Sequence, residues 1–222
     1  MISDIVPRGI EAVEVVGDDP AATLLAEEES ALGRASEGRR REFTTARSCA
    51  RRALTKLGFP PSPILPGPFR EPGWPNGVVG SITHCPGYRA AAVAKKEKFL
   101  SIGIDAEVHR ELPAGILDRV ATREERDWLR IVQGAGICWD RILFSAKESV
   151  YKTWFPMTRQ WLGFEDALIL FDPASGTFRA RLLTASPIVG GRRIEGFDGR
   201  FCVWNGFVLT FVGIAAHTDG SL

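Results

Sequence analysis

Short apolar runs, bounded by charged turns or by turns bearing glycine and proline, mark strands along much of the chain. They lie at 12–16, 77–83, 88–94 and 99–105, and in the tail at 167–171, 177–183, 200–204 and 207–216. Cys85-Pro86-Gly87 and Lys95-Lys96-Glu97-Lys98 link the second, third and fourth runs, which predicts an antiparallel meander. Asn205-Gly206 predicts a tight hairpin between the last two. Phe43, Ala46, Ala50, Ala53, Leu54 and Leu57 recur at helical spacing and predict a helix from a Ser36 N-cap to Gly58. Asp18-Asp19-Pro20 predicts an earlier helix reaching about Leu32, with Pro20 in its first turn. A third helix is expected over 122–132, with Glu124 and Glu125 in its first turn and Gly134-Ala135-Gly136 breaking it. A longer one is expected over 138–155, stopped by Pro156, with Ile142, Leu143, Ala146, Val150 and Trp154 turned inward.

The order helices, strands, helices, strands predicts an α+β protein of two units, 1–103 and 104–222, joined around 104–113. Between the first helices and strands lies a segment, 59–76, rich in proline and glycine. It also holds Ile64, Leu65, Phe69 and Trp74, which call for burial, so it reads as an ordered loop folded onto the surface.

A length of 222 residues suffices for one large domain or two small ones. The net charge of +1 gives no global field for nucleic acid or membrane. Basic residues nevertheless crowd the second helix, where Arg39, Arg40, Arg41, Arg47, Arg51 and Arg52 fall close together. Cys49, Cys85, Cys138 and Cys202 form no C-x-x-C pair, against a zinc ribbon, a thioredoxin motif or a disulfide scaffold. The first residues show no apolar h-region, and the longest apolar run, near 207–216, is too short to span a bilayer. A soluble cytoplasmic protein is expected.

Asp105 and Glu107, two apart on a strand, point the same way. Paired carboxylates repel unless a cation sits between them, and a hard divalent ion suits oxygen ligands. Taken alone, the pair reads as the solvated end of a strand. Gly80-Ser81-Ile82-Thr83-His84 places a histidine and two hydroxyls before a turn, as an anion site or as a self-capping turn. Glu148 and Lys152 share a helix face, with Lys147 adjacent, as a buried functional pair or a surface salt bridge. The arginine helix can meet phosphates or only water. Three scattered histidines, His84, His109 and His217, are too few for a His-rich metal site, and no Walker A, G-x-G-x-x-G or G-x-S-x-G motif occurs. Carboxylates, lysines, one histidine and arginines together suit a metal-held pyrophosphate with a further phosphate nearby.

These residues also carry a resemblance. Arg-Glu-Phe-x-x-x-Arg-x-Cys-Ala-Arg at 41–51, Pro-Ile-Leu-x-Gly and Glu-Pro-x-Trp-Pro within 63–75, and Gly-Ser-Ile-Thr-His-Cys at 80–85 occur in order. Gly-Ile-Asp-Ala-Glu at 103–107, Ser-Ala-Lys-Glu-Ser at 145–149 with Tyr-Lys-x-Trp-Phe-Pro at 151–156, and Trp-Leu-Gly-Phe-Glu-Asp at 161–166 follow. The chain resembles the Sfp-type 4′-phosphopantetheinyl transferases, in particular the actinobacterial type II enzymes. The resemblance implies two similar α+β halves related by a pseudo-twofold axis, with the site in the cleft between them. It implies transfer of 4′-phosphopantetheine from coenzyme A to a serine of an apo acyl or peptidyl carrier protein, with release of adenosine 3′,5′-bisphosphate.

By position, Asp105, Glu107 and the Ala106 carbonyl would hold Mg²⁺, or Mn²⁺ in its place, with Glu148 either a third ligand or the base that activates the serine. Lys152 would meet the pyrophosphate, with Lys147 beside it. Arg39, Arg47, Thr83 and His84 would hold the 3′-phosphate. Gly67, Pro68 and Phe69 would lie against the nucleotide, and Trp161 along the pantetheine. Pro66 stands where many relatives carry lysine, and Arg70 is the nearest replacement charge. The resemblance further implies a monomer acting on carriers of fatty acid, polyketide or nonribosomal peptide synthases. A metal-dependent nuclease and a non-catalytic module docking an acidic partner through the arginine helix are the competing readings.

Overall fold

In the computed structural model, which describes residues 1–132, 134 and 136–216, the described residues form two large antiparallel sheets, each carrying one long helix, and a separate two-stranded ribbon. The N-terminal elements are α1 (Ile2–Ile5), β1 (Ile10–Val16), α2 (Ala26–Leu32), α3 (Glu37–Lys56), β2 (Val78–Cys85) and β3 (Tyr88–Lys95). They are followed by β4 (Phe99–Val108), α4 (Leu117–Val120), α5 (Arg123–Ile131) and α6 (Trp139–Thr158). The tail is β5 (Ala167–Asp172), β6 (Thr177–Leu182), the short pair β7 (Ile188–Val189) and β8 (Arg192–Arg193), then β9 (Gly196–Trp204) and β10 (Phe207–Ala215). The first sheet runs β1-β3-β2 and the second β4-β10-β9-β6-β5.

Local signals placed most elements. Ser36 caps α3 by accepting the Arg39 N–H, and Thr122 and Glu125 form a reciprocal capping box on α5. Asn205 and Gly206 both take positive φ, 48° and 77°, as a two-residue hairpin turn between β9 and β10 requires.

Three expectations are corrected. Asp19 does not open a helix: its carboxylate accepts the Ala21 N–H at 2.9 Å and its own N–H goes to Thr45, so the chain turns there and α2 starts only at Ala26. The meander also breaks. Both edges of β3 are taken, by β1 and β2, so β4 leaves that sheet and pairs along its length with β10. Pro156 does not stop α6, which continues to Thr158 before Arg159 turns left-handed at φ 56°. In the last turn a proline forfeits only one bond, from its own missing N–H to the Lys152 carbonyl. In the 59–76 loop, Ile64 is fully buried as expected, whereas Leu65 and Phe69 are exposed.

The two sheets share a core. Tyr88, Ala90 and Ala92 of β3 pack against Ile102, Ile104 and Ala106 of β4 and Leu209 and Phe211 of β10. The 103/104 division falls inside β4, whose ladder is continuous with the second sheet. On the other face of the first sheet α3 lays Cys49, Ala50, Ala53 and Leu54 against Val13, Ala91 and Val93. Similarly, α6 lays Ile142, Ala146 and Val150 against Phe197, Val208 and Val212. One device occurs in both halves. Glu28 of α2, fully buried, accepts the N–H groups of Leu25 and Ile64 and pairs with Arg51 of α3. Glu125 of α5 accepts those of Thr122 and Ile169 and pairs with Lys147 of α6. Each buried acid thus ties a short helix, a long helix and the segment that follows it.

Candidate active site between the two sheets

The cleft forms where β2, β4 and α6 meet. β2 and β4 are not joined by a backbone ladder. Instead the hydroxyls of Ser81 and Thr83 accept the N–H groups of Ile104 and Ala106 at 3.1 and 3.0 Å. On a strand one residue's N–H and C=O point to the same edge, so the Ile104 and Ala106 carbonyls face this seam. Gly103 sets the third side. A Cβ there would overlap the Ser149 carbonyl and crowd Thr153, so only glycine lets α6 lie this close to β4.

That approach brings the α6 side chains onto Asp105, which is 5% exposed. Its Oδ1 accepts from Lys152 Nζ at 2.7 Å and from Thr83 Oγ1 at 3.3 Å, and its Oδ2 from Ser145 Oγ at 2.8 Å. Lys152 also donates to the Ile104 carbonyl at 3.2 Å. Glu107, on the same face of β4, accepts from Arg141 Nη1 at 3.0 Å. Glu148, one turn before Lys152, lines the cleft, and among the described residues no donor reaches its carboxylate. Burial first, and then the Asp105 charge, push the carboxyls of both Glu107 and Glu148 above the usual range.

A cavity of about 690 Å³ opens in front of Glu148 and Lys152, walled by Phe69, Trp74, Tyr151 and Phe155. A second, of about 400 Å³, lies between α3 and β2 and is lined by Arg39, Phe43, Arg47 and His84. Arg39 Nη1 lies 2.8 Å from His84 Nε2, and burial, then the Arg39 charge, lowers the His84 pKa. Arg47 spans the Phe43 ring and donates to the Ile64 carbonyl at 2.7 Å, and burial lowers its pKa to about 10. The remaining arginines of α3 turn away. Arg40, Arg41, Arg51 and Arg52 pair with Glu29, Asp18, Glu28 and Asp19, so the helix offers no broad basic face.

Two expected site residues are placed elsewhere. Lys147 is buried, and its ammonium is met by the Phe164 and Ala167 carbonyls at 2.6 and 2.9 Å and by Glu125 at 2.8 Å. No proton remains for a phosphate. The Thr83 hydroxyl is spent on Ala106 and Asp105, on the face of β2 opposite His84. Gly67, Pro68 and Phe69 do line the larger cavity, with Phe69 edge-on to Phe155 at 5.3 Å. Trp161, 79% exposed, stands against Tyr151 at 5.1 Å. Arg141 and Ser145 were missed, and Ser81, read with Thr83 as a hydroxyl for an anion, instead accepts the Ile104 N–H. Each carries a polar group to a partner distant in sequence, and no local pattern announces such partners. His217 lies outside the described residues.

Among the described residues no three acidic, histidine or cysteine side chains converge on one point as a metal ligand set. The donor chemistry still suits a hard cation. Asp105, Glu107 and Glu148 supply only oxygens, and a divalent ion there would offset the Asp105 charge that, after burial, raises the Glu107 and Glu148 carboxyls.

Comparison with known proteins shows the family. Residues 27–94 match the model of the 4′-phosphopantetheinyl transferase N-terminal domain, and residues 101–202 that of the 4′-phosphopantetheinyl transferase superfamily. The 4′-phosphopantetheinyl transferase Svp of Streptomyces mobaraensis is 50% identical over 201 residues, 90% of this chain and 82% of Svp. Npt of Nocardia iowensis is 47% identical over 97% of this chain and all of its own length. PptT of Mycobacterium tuberculosis is 47% identical over 90% of this chain and 89% of its own. With both halves matched and the α+β cleft in place, the chain belongs to the 4′-phosphopantetheinyl transferase superfamily as an enzyme of the Sfp-type actinobacterial group.

Proposed function

We propose that this transferase holds coenzyme A across the two cavities, the nucleotide's 3′-phosphate against Arg39, Arg47 and His84 and the diphosphate before Lys152. The observation that supports the reading is the Lys152–Asp105 contact with Glu148 one helical turn away, at the mouth of the larger cavity. Asp105, Glu107 and the Ala106 carbonyl would hold Mg²⁺ or Mn²⁺, which when bound neutralises diphosphate charge, and Glu148 stays off the metal as the base.

The carrier serine oxygen forms a bond to the β-phosphorus of coenzyme A. The bond from that phosphorus to the bridging oxygen breaks, and adenosine 3′,5′-bisphosphate leaves with the oxygen. Glu148, whose raised pKa makes it a better base than an ordinary carboxylate, takes the serine proton. Lys152 offsets the charge that grows on the leaving group. The aromatic rim of Phe69, Tyr151, Phe155 and Trp161 suits the pantetheine arm. Thr83 acts indirectly, by orienting Asp105.

The carriers we assign are those of fatty acid, polyketide and nonribosomal peptide synthases, modified in the cytoplasm by a monomer whose cleft is complete in one chain. No helix among the described residues is long and apolar enough to cross a membrane. The test is to incubate the protein with coenzyme A, Mg²⁺ and an apo carrier and to weigh the carrier. One added phosphopantetheine is expected, lost on chelation and in Asp105→Ala. An Asp105→Ala protein that stays fully active at low Mg²⁺ contradicts the metal assignment.

A further inference from the structure

The two cavities meet at Arg70, Pro72 and Ile82, which line both. Arg70 is the charged side chain of the three. It sits at the tip of a small hairpin closed by the Pro66–Pro72 bridge, with φ at 68°, a left-handed value that few residues other than glycine adopt. The hairpin is held in that shape. Gly67 N–H donates to the Glu71 carbonyl at 2.7 Å, Arg70 N–H to the Gly67 carbonyl at 2.9 Å, and Phe69 N–H to the Glu71 carboxylate at 3.0 Å. The same carboxylate pairs with Arg159 at the end of α6, and Phe69 leans on Phe155, so the hairpin is fastened to the opposite half. A left-handed residue kept in place by such surroundings is characteristic of a ligand-gripping position.

Four neighbouring cations have acceptors, Arg39 in Glu42, Arg47 in the Ile64 carbonyl, Lys152 in Asp105 and Arg159 in Glu71, and Lys96 lines the larger cavity but not the junction of the two. Among the described residues the Arg70 guanidinium has neither an ion-pair partner nor a side-chain hydrogen bond, and it is exposed to the junction. A molecule spanning both cavities must pass it. Arginine suits a phosphate there because its planar fork donates two parallel hydrogen bonds. We propose that Arg70 grips the diphosphate of coenzyme A where it crosses from the Arg39–His84 cavity into the Lys152 cleft, and that the Glu71–Arg159 pair holds the hairpin in place for this. The inference rests on the placement of coenzyme A given above.

Titration calorimetry with coenzyme A and with dephospho-coenzyme A, which keeps the diphosphate but lacks the 3′-phosphate, tests it. Arg70→Asn suits the left-handed backbone and removes the charge. It is expected to weaken both ligands by a similar factor, about 10- to 100-fold as for loss of a charged hydrogen bond. Arg70→Lys is expected to recover part of the loss. Unchanged affinity in Arg70→Asn overturns the proposal, as does a loss confined to coenzyme A, which would assign Arg70 to the 3′-phosphate. A parent protein that binds neither ligand overturns the placement of coenzyme A itself.

Discussion

His84 and Arg39 face each other at 2.8 Å beneath an open cavity, so any anion bound there draws on both. His84→Ala is therefore expected to weaken coenzyme A more than dephospho-coenzyme A, by about tenfold for one lost charge-assisted bond. Equal losses for the two ligands would remove His84 from the 3′-phosphate. The same histidine gives a pH dependence. Burial and the charge of Arg39, joined by Lys152 and Arg89 and opposed by Glu42, lower its pKa in the folded protein. The unfolded chain then binds the proton more readily, so stability is intact above about pH 6.5 and falls as the pH drops through the lowered value. Thermal melts between neutral and mildly acidic pH are expected to show a smaller acid loss in His84→Asn than in the parent. An unchanged slope would place the acid sensitivity elsewhere. At this scale Asp105, Glu107, Glu148, Lys152 and His84 were singled out in the chain, and the fold brings them around the two cavities. Lys147 and Thr83 were assigned to ligand and are bonded inward, although successive helix residues are turned by about 100° and neighbouring strand residues face opposite ways.

At the scale of elements, two contacts hold the α6 side chains where the chemistry needs them. Gly103 lets α6 approach β4, and Gly103→Ala is expected to cost about 1–3 kcal/mol by overpacking. Turnover is expected to fall further than stability, since a shift of about 1 Å at Lys152 and Glu148 can cost on the order of 10²-fold. Denaturant melts beside carrier-modification rates measure both, and a variant with parental values would show that the close approach is unnecessary. On the far side of α6 the buried Lys147–Glu125 pair fixes the helix to α5. Lys147→Met leaves a buried carboxylate unpaired and is expected to destabilise by about 3–5 kcal/mol. Adding Glu125→Gln is expected to restore part of that loss, with coenzyme A affinity unchanged in the folded fraction. A selective loss of affinity in Lys147→Met would instead return Lys147 to the phosphates. Ser36, Thr122 and Asn205-Gly206 made these elements readable, because caps and tight turns are decided within a few residues. The partner of β4 was not readable. It depends on β1 and β2 having filled both edges of β3, and β10 lies about a hundred residues downstream.

For the molecule as a whole, the recurring tie of Glu28 to Arg51 and of Glu125 to Lys147 shows how two similar halves are built on one plan. It was invisible as a sequence repeat because the cation changes identity and the following segments differ in length. The second half also inserts β5 and β6 beyond the three-strand pattern of the first. The halves meet through the shared core at β3, β4 and β10 and through the hydroxyl-bridged seam of β2 and β4, and this junction has Arg39, Arg47 and His84 on one side and the carboxylates on the other. The central claim is that division of labour along one substrate. A crystal structure with coenzyme A and Mg²⁺ bound tests it most directly. The 3′-phosphate is expected among Arg39, Arg47 and His84, the diphosphate between Arg70 and Lys152, and the metal on Asp105 and Glu107. Coenzyme A bound with its 3′-phosphate at Lys152, or outside both cavities, would contradict it.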